Sequence, residues 1–411
     1  MRRVAVIGGG AVGVTVAYYL ARRDVPVTLF DGNEIGHGAS FGNAGLLVPS
    51  YSVPLATAGN ALEGIRSLLG RPSAVDVKIW PTASTIAWVL RFLAATRSGP
   101  TQRGLKALSA FALRSLTLYD DLLHDAPAEI DYARNGTLYV SRTANSLAAS
   151  AELAGRLQAV GIRSKIMDRS QARAHEPTLS DSVAGGVWYP DDGRLQPLNF
   201  VRHVAGLARA LGAEFCAESI TGFTRDGSGV TGVRTADQSF EASRVVIAAG
   251  TWSPSVVRPL GLHVPILPAK GYSFDLELAD APRTSMLFAE RHVSVTPMNN
   301  LIRATTGLDF HGHDARVRQA RIDLIHTAYR EYLAEPRFLA ESPAWAGFRP
   351  LTPDGLPIVG PSSRIGNVIF ATGHGPLGVT LAPATAQAVA GTILDESFPI
   401  AREILPARFR L

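Results

Sequence analysis

Residues 347–360 read GFRPLTPDGLPIVG, and the group in this stretch with the most chemistry to offer is Arg349. A guanidinium presents two parallel N–H bonds to a carboxylate, which both binds the anion and fixes its rotation. Apolar residues flank it. The following Thr352-Pro353-Asp354-Gly355 places Pro second and Gly fourth, as a type I turn requires. Two readings of Arg349 are open: an anchor for an anionic ligand, or a structural arginine paired with an acid such as Asp354. A second constellation suits phosphate. Gly8-Gly9-Gly10-Ala11-Val12-Gly13 is a G-x-G-x-x-G, and Asp31 stands 18 residues beyond its last glycine.

The elements around that motif give it meaning. Residues 4–7 are a short β-branched run, VTVAYYLARRD after the glycines has helical spacing, and PVTLFD is a second strand ending at Asp31. Gly8 and Gly10 allow a tight turn and close approach to a pyrophosphate, and Gly13 allows helix and strand to pack. The helix N-terminus attracts negative charge, and the carboxylate of Asp31 can accept bonds from both ribose hydroxyls. The unit predicts a dinucleotide site. Gly8, Gly10, Ala11, Val12, Gly13, Asp31 and Gly32 are its first candidate contacts.

Three features favour FAD over NAD. A second small-residue loop follows the acid closely, with Gly38, Ala39, Ser40, Asn43, Ala44, Gly45 and Leu46 as candidates. ARALGAEFCAE reads as a helix leading into a strand, and SRVVIAAGTWS as a buried strand ending at Ala249, Gly250 and Trp252, with packing as the alternative role for the tryptophan. NVIFATGHGPLG repeats the strand-then-glycine design and runs into a helix, adding Gly373, His374, Gly375, Leu377, Gly378 and Thr380. A dinucleotide touched near both chain ends and in the middle is a long one.

Composition bounds the remaining possibilities. Of 411 residues, 46% are hydrophobic and 18% charged, which describes a globular chain with a large core. The net charge of +5 invites a nucleic-acid or membrane reading. Lysine occurs only at 78, 106, 165 and 270, and the arginines are scattered without a long basic run, so no nucleic-acid partner is expected. One cysteine, Cys216, excludes an intrachain disulfide framework and a Cys-rich metal site. His311 and His313 lack partners at ligand spacing, and no metal is expected. MRRVAVIGGG runs straight into a strand, with no leader pattern, and no stretch approaches ~18 apolar residues. A cytoplasmic location is expected, with peripheral attachment to a membrane open. Trp80, Trp88 and Phe92 either touch that membrane or pack on the core.

Residues 51–193 hold helical runs at 86–96 and 105–123, then a strand NGTLYVS and a helix around 144–160. Residues 264–310 are β-rich, with short strands and turn signals that suggest an antiparallel sheet. The expected fold is α/β: a Rossmann-like FAD-binding domain from 1–50, 194–258 and 346–411. A substrate domain from 51–193 and 259–345, with a mixed or antiparallel sheet and helices, is inserted into it and covers the flavin.

Spread over nearly the whole chain, GGGAVGVTVAYYL, GASFGNAGLLVPSYSVPLATAG, GGVWYPDDGRLQP, PAKGYS, GFRPLTPDGLPIVG and TGHGPLG carry a resemblance. The sequence resembles the FAD-dependent amino-acid oxidoreductases of the D-amino-acid oxidase fold, and within them the bacterial D-amino-acid dehydrogenases. The S-F-x-N-A-G within residues 39–59 is the most dehydrogenase-like part. The other motifs are shared with glycine oxidase, sarcosine oxidase and hydroxyproline-oxidising relatives. The resemblance implies oxidative deamination of D-amino acids, or of imino acids such as D-proline, by hydride transfer from the α-carbon to flavin N5. Electrons would pass to a quinone or another acceptor.

That chemistry needs a cation for the substrate carboxylate, and no general base is obligatory if the amine binds uncharged. In glycine oxidase and its relatives the arginine of a similar G-x-R-P motif holds the carboxylate, and Arg349 matches it. Arg303, in LIRATT, falls where related oxidases place a lysine that promotes reaction with oxygen. A catalytic role and a surface ion pair are both open for it. Tyr272 and Tyr51 are candidate substrate contacts, Lys270 either reaches the pocket or sits at a sheet edge, and Phe41 is a candidate for the entrance. His374 is either a base or a residue of a loop whose backbone faces the flavin. Sarcosine oxidases carry a flavin-linking cysteine near Gly347, so non-covalent FAD is expected. Two rivals remain: an oxidase of the same fold using O2, and an FAD-binding subunit with no amino-acid chemistry of its own.

Overall fold

The computed structural model describes residues 3–68, 75–78, 82–227, 229–396 and 398–411. Trp80 lies outside the described residues. The first sheet has six strands in the spatial order Ile358–Pro361, Val368–Thr372, Arg244–Ile247, Val4–Ile7, Val27–Phe30 and Glu214–Cys216. All neighbours are parallel except the first pair. Val4–Ile7 is buried at every position, as expected of a central strand covered on both faces. Helices Ala11–Ala21 and Gly378–Ile393 pack on one face together with Pro197–Ala210 and Ser98–Leu122. Tyr119 of the last helix donates to the carbonyl of Val379 at 2.6 Å. From Val4–Ile7 the chain passes to Val27–Phe30 on one side, whereas the neighbouring Arg244–Ile247 lies next to Val368–Thr372 on the other, so the crevice beyond their carboxyl ends is the switch point where α/β sheets bind ligands.

The second sheet has ten strands and is mixed. Leu267–Leu278 pairs antiparallel with Leu301–Phe310, Phe338–Glu341 and Trp345–Leu351. The expected antiparallel run is present over 267–310, but Ser285–Phe288 also pairs parallel with Thr137–Ser141. That pairing adds Gly185–Tyr189 and Lys165–Asp168 to the sheet. Alternation along the strands sets its two faces. Met286, Phe288, Val295 and Ala304 enter a core under helix Gln319–Tyr332, whereas Leu287, Ser294 and Thr305 face a cavity. The domain boundary expected at 346 falls inside strand Trp345–Leu351, which belongs to this second sheet. Helix Ser98–Leu122, from the segment assigned to the substrate domain, packs into the core of the nucleotide sheet.

Trp88 resolves in favour of packing. It is 7% exposed, stacks on Phe92 at 5.5 Å and packs against Ala269 and Leu351. The exposed apolar side chains of its helix, Ala83–Ala95, are instead Ile86, Val89, Leu90 and Leu93. Among the described residues no helix is long and apolar enough to cross a membrane.

Candidate active site

A cavity of about 1480 Å³ lies between the two sheets. Gly8, Gly10, Ala11, Val12, Asp31 and Gly32 line it, and so do Tyr51, Tyr272 and Arg349. The nucleotide motif and the candidate anchor therefore open on one space.

The glycine turn divides into two kinds of position. Gly8 has φ +111°, and a Cβ there would come within 2.5 Å of the Ala248 carbonyl oxygen. A Cβ on Gly13 would lie 1.8 Å from the Gly8 oxygen, so this glycine lets helix and turn meet and does not line the cavity. Gly10, Gly38 and Gly250 differ: an added Cβ would find nothing closer than 3.4 Å, and all three line the cavity. Packing does not require the last group, though Gly250 also takes φ +52°, a conformation that favours glycine. The group presents bare backbone to a ligand.

Asp31 ends its strand beside the turn, accepting from the backbone N–H of Gly9 at 2.7 Å and of Asn33 at 2.9 Å. Ser40 Oγ accepts from the Ala11 N–H at 3.0 Å, joining the second loop to the helix start. Helices Ala11–Ala21 and Gly378–Ile393 carry no acid in the first turn and no side-chain cap. Their N-terminal residues Ala11, Val12, Gly378 and Val379 line the cavity, which favours negative charge there. Ala39, Asn43, Ala44, Leu46, Ala249, Trp252, Gly375 and Leu377 line it too. These features fit an extended anionic dinucleotide.

Gly45, Gly373 and Thr380 stand behind the lining. Gly45 accepts a turn at φ +70° with its N–H bonded to Asn43 Oδ1, and a Cβ on Gly373 would meet Thr352 at 2.7 Å. Thr380 donates to the Leu46 carbonyl at 3.1 Å, tying the final helix to the second loop. His374 is buried and hydrogen-bonded through Nε2 to Thr385 at 2.9 Å. Burial pushes its pKa down to about 3, which leaves the ring neutral and unsuited to take a proton in exchange with solvent. His374 lines the cavity together with Gly375 of the same loop.

At the second sheet the Thr352–Gly355 turn forms as expected, closed by the Gly355 N–H on the Thr352 carbonyl at 3.1 Å. Asp354 is taken by Arg408 at 2.7 Å, so it does not partner Arg349. Among the described residues no carboxylate lies within ion-pair distance of Arg349, whose one hydrogen bond to protein runs from Nη1 to the Gly307 carbonyl. Burial lowers its pKa, with Tyr51 and Asp309 opposing that shift. Such a group is a charge short of its counter-ion.

Room for it comes from Gly271 on the neighbouring strand. A Cβ there would lie 2.4–2.5 Å from the guanidinium. Strand alternation puts Trp345 and Gly347 on the same side as Arg349, and the indole covers Gly347 and touches Gly42. Trp345 also lines the cavity.

Arg303 requires a correction. Its guanidinium holds Asp275 at 2.6 and 2.9 Å and donates to the carbonyls of Phe41 and Asn43, and it is not among the cavity-lining residues. The alternation that puts it beside Thr305 is as read, but the loop at 41–43 covers it. It therefore positions that loop. Phe41 lies outside the lining, stacked with His37 at 5.1 Å. Tyr272 lines the cavity, and its hydroxyl donates to buried Asp309 at 2.8 Å. Lys270 is fully buried in the middle of the sheet, not at an edge, and donates to the Arg316 carbonyl at 3.0 Å. Trp252 is 46% exposed and stacks on His313 at 5.6 Å.

Several lining residues escaped the sequence reading. Helix Ala58–Leu68 supplies Asn60, Glu63 and Arg66, and Thr137–Ser141 supplies Tyr139. For Gly271 a signal existed, since a glycine inside a strand pattern marks a close approach.

Two sheets enclosing a cavity lined by a dinucleotide motif fit the class of flavin-dependent oxidoreductases. The chain belongs to the FAD dependent oxidoreductase family, whose profile matches residues 3–392. That family uses FAD, and the residues lining this cavity fit it. A D-amino acid dehydrogenase of Methylobacterium radiotolerans is 32% identical over 414 residues, covering 98% of each chain. One from Vibrio cholerae is 29% identical over 410 residues, 98% of this chain and 97% of that one. Among solved structures, L-proline dehydrogenase from P. horikoshii superposes with a TM-score of 0.78 at 19% identity, covering 99% of this chain and 97% of its own. Glycine oxidase from Bacillus cereus gives 0.75 at 22% identity, over 97% and 96%.

Proposed function

We propose that this protein oxidises D-amino acids, or related imino acids such as D-proline, and passes the electrons to a quinone or a comparable acceptor. The observation that carries the substrate class is Arg349: a half-buried guanidinium with no carboxylate partner among the described residues, opening on the cofactor cavity. A bidentate grip on the substrate carboxylate would supply the missing counter-ion and fix the α-carbon. Bound FAD supplies the acceptor for the hydride that leaves that carbon. The D preference follows the dehydrogenase relatives at 32% and 29% identity. Flavin attachment is non-covalent, since Gly347 offers no nucleophile and Cys216 is not among the lining residues.

The acceptor reading rests on two features. No lysine is among the described lining residues, whereas the oxidases the sequence resembles place one near the flavin. Helix Ala83–Ala95 exposes Ile86, Val89, Leu90 and Leu93 at helical spacing, with Arg91, Arg97 and Lys78 exposed on or near it. That face suits the surface of an anionic bilayer, where a quinone pool would be met.

The test is turnover of purified holoprotein with D- and L-amino acids, proline analogues included, measured with a redox dye and with oxygen. Dye-linked turnover of D-substrates is expected, and stoichiometric peroxide would sink the acceptor assignment. Arg349→Ala should raise KM by at least ~100-fold, as loss of a desolvated charged pair implies. Unchanged KM and kcat in that variant would remove the anchor.

A further inference from the structure

Beside the cavity lies a buried carboxylate. Asp192 is fully buried, and among the described residues no cation pairs with it. Its side-chain oxygens receive the Ser50 N–H at 3.2 Å and the Ser50 hydroxyl. The same Ser50 Oγ stands 3.0 Å from the hydroxyl of Tyr139. Tyr139 in turn lines the cavity that also holds Tyr51 and Arg349. A continuous chain of exchangeable protons therefore leads from the cavity wall to a sequestered carboxylate.

We propose that Tyr139, Ser50 and Asp192 form a proton relay that takes one ammonium proton from the amino acid held by Arg349. It rests on the amino-acid reading above and extends it. An amino acid in solution is a zwitterion, and its ammonium nitrogen has no lone pair with which to form a C=N bond. The relay removes one N–H proton: it passes to Tyr139 Oη, whose own proton moves to Ser50 Oγ, and the Ser50 proton moves to Asp192. The freed lone pair forms the C=N bond as the Cα–H bond breaks and its electron pair leaves with the hydrogen to the flavin. The amino acid is oxidised to the iminium, and Asp192 ends one proton richer.

The surroundings suit an acceptor at working pH. Burial pushes the Asp192 carboxyl up to about 7 against the hydrogen bonds from Ser50, with the neighbouring Asp191 charge adding to the rise. Asp191 is itself held ionised by Arg163 and lies next to Arg134. From Gly185–Tyr189 comes Tyr189, its ring 4.8 Å from that of Tyr139. From Thr137–Ser141 come Thr137 and Tyr139, the latter kept protonated by burial and by the Asp192 charge. Helix Ser98–Leu122 contributes Leu105, while its Arg103 and Lys106 are exposed. A group poised near neutrality accepts a proton with little penalty in either direction.

The experiment is the pH profile of kcat/KM for a D-amino acid with the holoprotein, together with infrared titration of buried carboxyl groups. Wild type should lose kcat/KM on the acid side with an inflection near 7, and show a carboxylic-acid band that titrates in the same range. Asp192→Asn should lack that band and inflection and fall ~10–100-fold at neutral pH. Ser50→Ala and Tyr139→Phe, the latter keeping the packed ring, should keep the band yet lose the inflection. A profile unchanged in Asp192→Asn or Tyr139→Phe overturns the relay, as does a band absent from wild type at pH 6. If amino acids are turned over with such a profile, only the relay falls. If none is turned over, the functional reading falls with it.

Discussion

At the residue scale the site turns on how a guanidinium is kept free inside a protein. Arg349 sits on a strand whose partner contributes Gly271 where any other residue would put a Cβ into the charge. The backbone there needs no positive φ, so alanine strains nothing but the arginine. Gly271→Ala should therefore fold with its melting temperature little changed. The arginine is displaced, and KM for the amino acid should rise ~10–100-fold, as misplacement of a positioning group implies. A thermal melt and substrate saturation together check this. A wild-type KM in Gly271→Ala would mean that the guanidinium is not the anchor. Arg349 was visible in the sequence because G-x-R-P and the following turn are local. Its freedom was not, because that depends on Arg408, 54 residues away, occupying Asp354. Arg303 shows the reverse error. Its strand face was legible, but Asp275 and the carbonyls that claim it come from other segments.

At the element scale, strands and helices whose signal lies in their own residues were read well. The glycine turn, the strand to Asp31 and the final strand-to-helix unit stand where the pattern put them. Parallel pairing of Ser285–Phe288 with Thr137–Ser141 was hidden, since nothing within either strand specifies a partner so far along the chain. Helix Ala83–Ala95 was recognised, with membrane contact and core packing both open for its aromatics. Packing is the role they take, since a tryptophan offers most by burial and Trp88 is buried, while the aliphatic side chains that face outward were not singled out. Leu90 is 63% exposed and Ile86 50%. Inserting such side chains into a bilayer surface contributes up to ~1.5–3 kcal/mol each, and each nearby arginine adds ~1 kcal/mol on anionic lipid. Wild type should co-sediment with anionic vesicles. Ile86→Glu combined with Leu90→Glu should bind at least ~10-fold more weakly with dye-linked kcat unchanged, since exposed positions carry little stability. Equal sedimentation of the two proteins would remove this face from membrane binding.

At the scale of the whole molecule, two buried titratable groups act in opposite senses, and their balance is a property no single element carries. His374 falls from 6.5 to about 3 on burial, so between those values the unfolded chain binds the extra proton and stability rises with pH. Its stabilising contribution is complete above 6.5 and lost as pH falls. Asp192 moves the other way, from 3.8 to about 7, so in that window the folded chain binds the extra proton. Its contribution is complete below 3.8 and lost as pH rises through 7. Between about 4 and 6.5 the two slopes, ~1.4 kcal/mol per pH unit each, cancel. Removing one exposes the other. Relative to wild type, Asp192→Asn should gain stability steadily as pH rises from 4.5 to 6.5. His374→Gln should lose stability over the same range. For a chain of this length each slope corresponds to ~2 °C in melting temperature per pH unit. The measurement is the variant-minus-wild-type difference in melting temperature at several pH values, which subtracts every other titrating group. Two flat differences would mean that neither side chain is held away from its ordinary pKa, and a flat Asp192→Asn difference would also take from the relay through Ser50 its acceptor.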